Sequence, residues 1–258
     1  MFGVSERSSL LSVSGLSISF GGLHALTNVS LDLHEKEVVG LIGPNGAGKT
    51  TFFNALSGIV KPDAGEFRLN NEMRDWPAPD QLTGLGIART LQGVGLFPDM
   101  TVLENVMIGA SRFSKSGLIR AALGLNGRDE RALRARALTA LERVYASGIA
   151  DRRVDTLPYP VTKRIAIARA LVTEPKILLL DEPAGGLGAQ DIDWMNGLIR
   201  NLAHDCSVLL VEHHMDVVMT VCSRLYVLNF GEVIASGAAE DVRQDPAVVA
   251  AYLGVGHK

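Results

Sequence analysis

No stretch of this chain is apolar for long enough to cross a bilayer. Runs such as Ile177–Leu180 and Val208–Val211 fall far short of the ~20 residues that a spanning helix needs, so any membrane role must come through a partner. The start, MFGVSERSS, lacks a basic segment followed by a long apolar one, and no secretory signal is expected. Cysteine is scarce. Cys206 and Cys222 have no metal-like spacing and are expected to be reduced, packed thiols of a cytosolic protein. Basic charge is not in excess either: the net charge of −3 gives no global pull toward nucleic acid or anionic membrane. Low-complexity blocks and internal repeats are also missing. What remains is a chain of 258 residues, 47% apolar and 21% charged, long enough for one large α/β domain with a sizeable core.

Residues 11–35 read as strands, with partial alternation in LSVSGLSISF and clear alternation in VSLDLH. Val38–Ile42 is an apolar strand running into the glycine-rich GPNGAGKT. The helix after it should start near Lys49 and stop at Gly58, a plausible C-cap. Residues 63–70 look like a turn and short strand. From about 99 to 146 the pattern is helical, with Leu133, Ala137, Leu141 and Tyr145 forming one stripe at i, i+4 spacing. A second helix is expected over about Val161–Val172. The strands KILLLDE, SVLLVEH and RLYVLNF then alternate with helical stretches, which predicts a mostly parallel sheet covered on both faces. The helical block at about 94–155 is expected to be an inserted subdomain.

Gly43-Pro44-Asn45-Gly46-Ala47-Gly48-Lys49-Thr50 fits the phosphate-loop pattern G-x-x-x-x-G-K-[ST]. Glycines let the backbone curl into a nest of N–H groups, and the helix N-terminus adds a favourable potential for an anion. Lys49 should reach the β- and γ-phosphates, and the Thr50 hydroxyl should ligate Mg²⁺. The strand before the loop and the helix after it are the context this pattern requires. Downstream, Ile177-Leu-Leu-Leu-Asp181-Glu182 ends an apolar strand in two acids, at the carboxyl edge of the sheet where ligands bind. Asp181 should hold Mg²⁺ through water, and Glu182 should orient or deprotonate an attacking water.

With these motifs in place, the chain resembles the ATPase subunit of ABC transporters over nearly its whole length, and is read as a single ABC ATPase domain, 1–258. The resemblance implies a P-loop NTPase fold: an α/β, RecA-like parallel-sheet core with a small antiparallel β subdomain and an inserted α-helical subdomain. It implies ATP and Mg²⁺ as cofactors, with ATP held by Gly43 through Thr51. Gln92, in ARTLQGVGLFPDMTVLENV, matches the glutamine that senses Mg²⁺ and the γ-phosphate and couples to the membrane subunits. His213, in LLVEHHMDVV, matches the switch histidine that contacts the γ-phosphate, in preference to the adjacent His214. Phe20, in SISFGG, matches the aromatic that stacks on adenine, with a core aromatic as the competing reading.

One family element departs from pattern. The helix ending Ile167-Ala168-Arg169-Ala170-Leu171 is present, but the L-S-G-G-Q-like segment before it reads Leu157-Pro158-Tyr159-Pro160-Val161. In the family dimer this segment binds the γ-phosphate held by the other subunit. Pro158 has no hydroxyl and Pro160 no N–H, so the contact should be weakened while the helix survives. Nearby Thr162 or Lys163 could supply replacement donors. The loop Pro183-Ala-Gly-Gly-Leu-Gly188 also lacks the aspartate often found there.

GLSISFGGLHALTNVSLDL, GIARTLQGVGLFPDMTVLENVMIGA and VLNFGEVIASGAAEDVRQDPAVVAAYLG resemble the branched-chain amino-acid importer branch. The implied partners are two membrane permease subunits, a second cassette in a heterodimer and, indirectly, an extracytoplasmic solute-binding protein, with no nucleic acid. The implied location is the cytoplasmic face of the plasma membrane. Urea importers, and exporters or lipid-extraction systems, have similar cassettes. Soluble non-transport ABC ATPases fit less well, since they carry coiled-coil or zinc insertions or tandem cassettes.

Overall fold

The computed structural model describes residues 9–90, 93–110, 113 and 127–253. Its strands and α-helices run β1 (Ser9–Phe20), β2 (Leu23–His34), β3 (Val38–Ile42), α1 (Lys49–Leu56), β4 (Ala64–Leu69), β5 (Glu72–Arg74), β6 (Ile87–Arg89), α2 (Val102–Gly109), α3 (Gly127–Arg143), α4 (Tyr159–Leu171), β7 (Ile177–Asp181), α5 (Ala189–Leu202), β8 (Ser207–Val211), α6 (Met215–Val221), β9 (Arg224–Asn229), β10 (Glu232–Ala238), α7 (Ala239–Gln244) and α8 (Pro246–Leu253). They fall into two compact units. One comprises the chain up to Leu82 and from Leu179 onward; the other is Thr83–Leu178.

The larger unit contains two sheets. One is antiparallel, in the order β2-β1-β4-β5. Alternation in β1 is only partial because the strand slips phase. Leu11 and Val13 are buried, then Leu16 and Ile18, and a register shift separates the two pairs where Gly15 adopts φ 65°. The extra residue is the signature of a bulge. In the second sheet the order β10-β9-β3-β8-β7 places β3 in the interior. β3 runs parallel to both β8 and β9, while β10 returns antiparallel to β9. β3, β7 and β8 are buried at every position, as expected of parallel strands covered on both faces. The carboxyl ends Ile42 and Val211 lie at one edge by the parallel β3–β8 pairing, and the Glu182 N–H bond to the Val211 carbonyl brings the end of β7 at Asp181 to the same place.

A polar cluster ties the two sheets together. Arg224 at the start of β9 donates to Glu37 Oε1 and Oε2 at 3.0 and 2.9 Å and to the Asp32 carbonyl at 2.9 Å. The Tyr226 hydroxyl donates to Asp32 Oδ1 at 2.6 Å. Burial works against the charged form of Asp32, yet Tyr226 and Arg224 hold its pKa below the usual carboxylate value.

In the smaller unit, α2, α3 and α4 pack on one another. α2 opens with a capping box: Thr101 Oγ1 accepts from the Glu104 N–H at 3.2 Å and Glu104 Oε2 from the Thr101 N–H at 2.7 Å. The expected stripe on α3 is corrected at its end. Ala137 and Leu141 are fully buried and Leu133 is half-buried, but Tyr145 lies beyond the helix, at φ 55° and 69% exposed. Val144 takes the buried place, because the helix stops at Arg143 and the chain turns. The helix expected from Val161 starts two residues earlier, at Tyr159, with Pro160 in its first turn.

The stop of α1 follows the expected glycine signal in detail. Gly58 has φ 69°, its N–H donates to the Ala55 carbonyl at 3.0 Å and the Ile59 N–H to the Asn54 carbonyl at 2.9 Å, which is a Schellman motif. A Cβ there would lie 2.2 Å from the Pro77 carbonyl oxygen. Gly58→Ala is expected to destabilise the fold by about 1–3 kcal/mol from the left-handed backbone alone, with the clash in addition. The shift in urea midpoint at unchanged slope measures it; an unchanged midpoint would contradict the motif's role.

Candidate active site

β3 delivers the chain into the phosphate loop, and three glycines there have positive φ: Gly43 at 148°, Gly46 at 80° and Gly48 at 104°. Two of them are required by close approach. A Cβ on Gly43 would meet the Leu228 carbonyl oxygen at 2.0 Å, and one on Gly48 would meet a Leu26 methyl at 2.7 Å and the Ala25 carbonyl oxygen at 2.8 Å. The loop closes on itself through the Ala47 N–H to the Pro44 carbonyl at 3.2 Å, and the Gly231 N–H donates to the Ala47 carbonyl at 3.0 Å. α1 then begins with no side-chain cap and no acid in its first turn. Its N-terminal N–H groups and positive dipole end are thus left for an anion from outside the chain.

Lys49 is buried, and its ammonium donates to the carbonyls of Gly43 at 2.6 Å and Pro44 at 2.8 Å. Burial pushes its pKa down, while the carboxylates of Glu182 and Asp181 act in the opposite direction. The cation from the loop and the two acids from the end of β7 therefore share one electrostatic neighbourhood. Thr50 is exposed and Thr51 half-buried on the first turn of α1; Asn45 and Gly46 are exposed at the loop tip.

Asp181 is buried, and Glu182 is half-buried with φ 48°. That left-handed conformation is uncommon for a residue with a side chain and marks a turn that re-aims it. Its N–H donates to the Val211 carbonyl at 2.9 Å, pinning the exit of β7 to the end of β8. Glu212, which sequence reasoning passed over, is fully buried there. Its Oε1 accepts from the Ala184 N–H at 2.8 Å, and its Oε2 from the N–H groups of His213 at 2.9 Å and His214 at 3.2 Å. The only hint in the sequence was an acid placed between an apolar strand and two histidines. His213 Nδ1 is 3.8 Å from Glu182 Oε1, whereas the His214 ring lies against Glu212 at 3.0 Å. Of the two, His213 is the one that faces Glu182.

Phe20 closes β1 at 49% exposure, so it is not a core aromatic. Gln92 lies outside the described residues. The segment from Leu157 forms the entry to α4, with Pro158 as N-cap. Both the Val161 and Thr162 N–H groups donate to the Pro158 carbonyl, at 3.0 and 3.1 Å, and Pro160 has no N–H to offer. The two candidate replacement donors, Thr162 and Lys163, follow on the same helix. The Thr162 hydroxyl donates to the Tyr159 carbonyl at 2.7 Å, and Lys163 is buried with its ammonium 5.5 Å from the Tyr159 ring centre.

A glycine-built loop running into an uncapped helix, with a lysine and two strand-end acids sharing its field, defines a nucleoside-triphosphate-binding P-loop ATPase. The family described as ABC transporter matches residues 26–185, and the one described as branched-chain amino acid ATP-binding cassette transporter matches residues 232–258. Over 249 residues the chain is 43% identical to the high-affinity branched-chain amino acid transport ATP-binding protein LivG of Escherichia coli, covering 95% of this chain and 98% of that protein. It is 40% identical to the corresponding protein BraF of Pseudomonas aeruginosa over the same length and coverage. A solved ATP-binding cassette of an ABC transporter, in its ADP conformation, matches with a TM-score of 0.83 at 30% identity, covering 95% of this chain and 99% of that one. The chain belongs to the ATP-binding cassette family, the ATPases of ABC transporters. Among the described residues no helix is long and apolar enough to cross a membrane.

Lys49→Ala removes a charge-assisted contact worth about 1.5–3 kcal/mol. Nucleotide affinity of the purified chain is expected to fall roughly 10- to 100-fold, read by fluorescence titration with a labelled ATP analogue. Affinity equal to wild type would remove Lys49 from the site.

Proposed function

We propose that this chain binds Mg-ATP at Gly43–Thr51, Asp181 and Glu182 and hydrolyses it to power a branched-chain amino-acid importer. The observation that carries the importer reading is the likeness to LivG and BraF along nearly the whole chain, joined to the separate match of residues 232–258. The donor set fits the nucleotide. Loop and α1 N–H groups would take phosphate oxygens, and Lys49 would exchange the Gly43 and Pro44 carbonyls for them. Thr50, Asp181 and, by resemblance, Gln92 would hold Mg²⁺, which supplies charge neutralisation at the phosphates when bound. Glu182 accepts the proton of the attacking water, and His213, facing Glu182, contacts the γ-phosphate end of the site. Phe20, exposed at the end of β1, stacks on adenine. The partners are two permease subunits at the cytoplasmic face of the membrane, a second cassette, and indirectly a solute-binding protein.

The entry to α4 makes the dimer unequal. The side chains this chain contributes to its own nucleotide are complete, but Leu157–Val161 offers a neighbour's nucleotide few donors, since Pro160 has none and the Val161 N–H is spent on Pro158. The neighbour is therefore a different cassette with an unimpaired segment, and the site built on Lys49 and Glu182 is the faster of the two.

Two measurements on the assembled transporter test this. Glu182→Gln is expected to bind ATP normally and to lower the turnover stimulated by leucine-loaded binding protein by about 10²–10⁴-fold. Near-normal turnover would exclude Glu182 as the base, and absence of stimulation by leucine, isoleucine or valine would exclude the solute class. Restoring Pro160→Gly with Val161→Gln is expected to speed the impaired site by up to one to two decades, the worth of roughly 1.5–3 kcal/mol of regained contact, and so to raise total turnover by up to about twofold. No gain, together with a larger loss from mutating the partner cassette's own glutamate, would reverse the asymmetry.

A further inference from the structure

We propose that Glu212, His213 and His214, with Glu182, form an inhibitory binding site for a borderline divalent metal ion of the Zn²⁺ class. The ligand atoms of Glu212, His213 and His214 all lie within 4.8 Å of one another. Three separations describe the set, and Glu182 meets it through His213. His214 Nδ1 is 3.0 Å from Glu212 Oε2, His213 Nδ1 is 3.7 Å from the same oxygen, and His213 Nδ1 is 3.8 Å from Glu182 Oε1. A tetrahedral Zn²⁺ with bonds near 2.0–2.1 Å sets its ligand atoms roughly 3.3 Å apart, so these three of its six edges need to shift by only about half an ångström, and the Glu182 side chain has to swing in to complete the set.

The chemistry of the set selects the metal. Two imidazoles and two carboxylates suit Zn²⁺, Ni²⁺ or Cu²⁺, whereas Mg²⁺ prefers oxygen ligands alone and keeps its waters. The cage is also braced from behind. Glu212 is fully buried and its other oxygen is held by the Ala184 N–H at 2.8 Å, so Oε2 is fixed in place. Such outer contacts orient a ligand before the metal arrives. The two histidines are open to solvent at 47% and 37% of their side chains, which gives an entry path. The metal would bridge His214 Nδ1 and Glu212 Oε2 in place of their direct 3.0 Å contact. Cys206 and Cys222 are buried, and burial pushes the Cys222 thiol up to about 12, so thiolates do not compete.

The consequence rests on the function proposed above. A metal seated here ties up the carboxylate of Glu182 and the ring of His213, while Lys49 and the phosphate loop stay free. ATP still binds, but the water opposite the γ-phosphate loses its base, and hydrolysis stops until the metal leaves.

The test begins with the untagged chain and no nucleotide. Zn²⁺ titrated against a chelating dye is expected to bind one ion per chain. Either His214→Asn or His213→Asn should weaken that binding by at least about 10- to 100-fold, the loss seen when only a partner of a metal ligand is removed. Co²⁺ in place of Zn²⁺ should show the ligand-field absorption of a four-coordinate nitrogen–oxygen site without a thiolate band. No stoichiometric binding, or binding unchanged in both variants, overturns the site. In the assembled transporter, Zn²⁺ is expected to inhibit the wild-type ATPase reversibly by chelator and to leave the His214→Asn ATPase uninhibited. Metal binding without inhibition, or equal inhibition of both proteins, overturns the inhibitory role. A transporter inactive even with chelator present refutes the proposed function instead, and the binding titration still decides the metal site.

Discussion

The phosphate loop keeps its shape because three stretches of backbone meet where no side chain fits between them. The Gly43 α-carbon faces the Leu228 carbonyl, Gly48 faces Ala25 and Leu26, and a Cβ on Gly231 would fall 2.7 Å from the Ala25 carbonyl oxygen. Hydrogen bonds run through the same stack: the Thr27 N–H to the Gly231 carbonyl at 2.8 Å, and the Gly231 N–H to the Ala47 carbonyl at 3.0 Å. The loop is thus clamped between β2 of the antiparallel sheet and the β9–β10 turn of the parallel one. Its glycines serve the back of the loop as much as the front. The anion-facing N–H groups are positioned because the opposite side is packed against backbone, which cannot yield as a side chain could. Arg224, with Glu37, Asp32 and Tyr226, fixes the same two sheets at the far end of β9, so the clamp has a rigid frame.

Glu212 performs the corresponding task for the acids. A carboxylate with no solvent exposure must satisfy its oxygens internally, and here three backbone N–H groups do so. One of them belongs to the loop after Glu182 and two to the histidines after β8. A single buried side chain therefore couples the exits of β7 and β8 and holds Glu182 and His213 near one another. Removing it would release both chain exits at once while the strands themselves stayed packed.

What could be read from the sequence is what is local. The glycine spacing of the phosphate loop, the acids after ILLL, the stop at Gly58 and the alternation of strands and helices each depend on neighbours within a few residues, and the structure has them where the pattern put them. The phase slip in β1 was visible only as imperfect alternation, because a bulge is defined by the partner strand. Tyr145 was misread because i, i+4 spacing continues past a helix end that only the turn chemistry reveals. The Lys49 ties to two carbonyls, the role of Glu212 and the Arg224 cluster were not legible, since each joins residues or backbone groups that only the fold brings together; Arg224 and Glu37 are 187 residues apart. Of the site residues, Gln92 rests on resemblance alone.

The entry to α4 shows how a helix can be kept while its first turn changes its donors. The body of α4 buries Ile165, Ala166, Ile167, Ala168 and Leu171, and it packs against both α2 and α3, so the unit cannot do without it. Its first turn carries no such duty. Proline at the second helical position pre-sets the backbone and gives up an N–H that the helix itself does not use. The Pro158 carbonyl then takes the Val161 and Thr162 N–H groups, and the Thr162 hydroxyl bonds the Tyr159 carbonyl. Neither helix has a side-chain cap, but α4 has one N–H missing at Pro160 and one taken up at Val161, both of which α1 leaves open. The two helix N-termini thus differ in the donors they present, and that difference is the physical basis of the proposed inequality between sites.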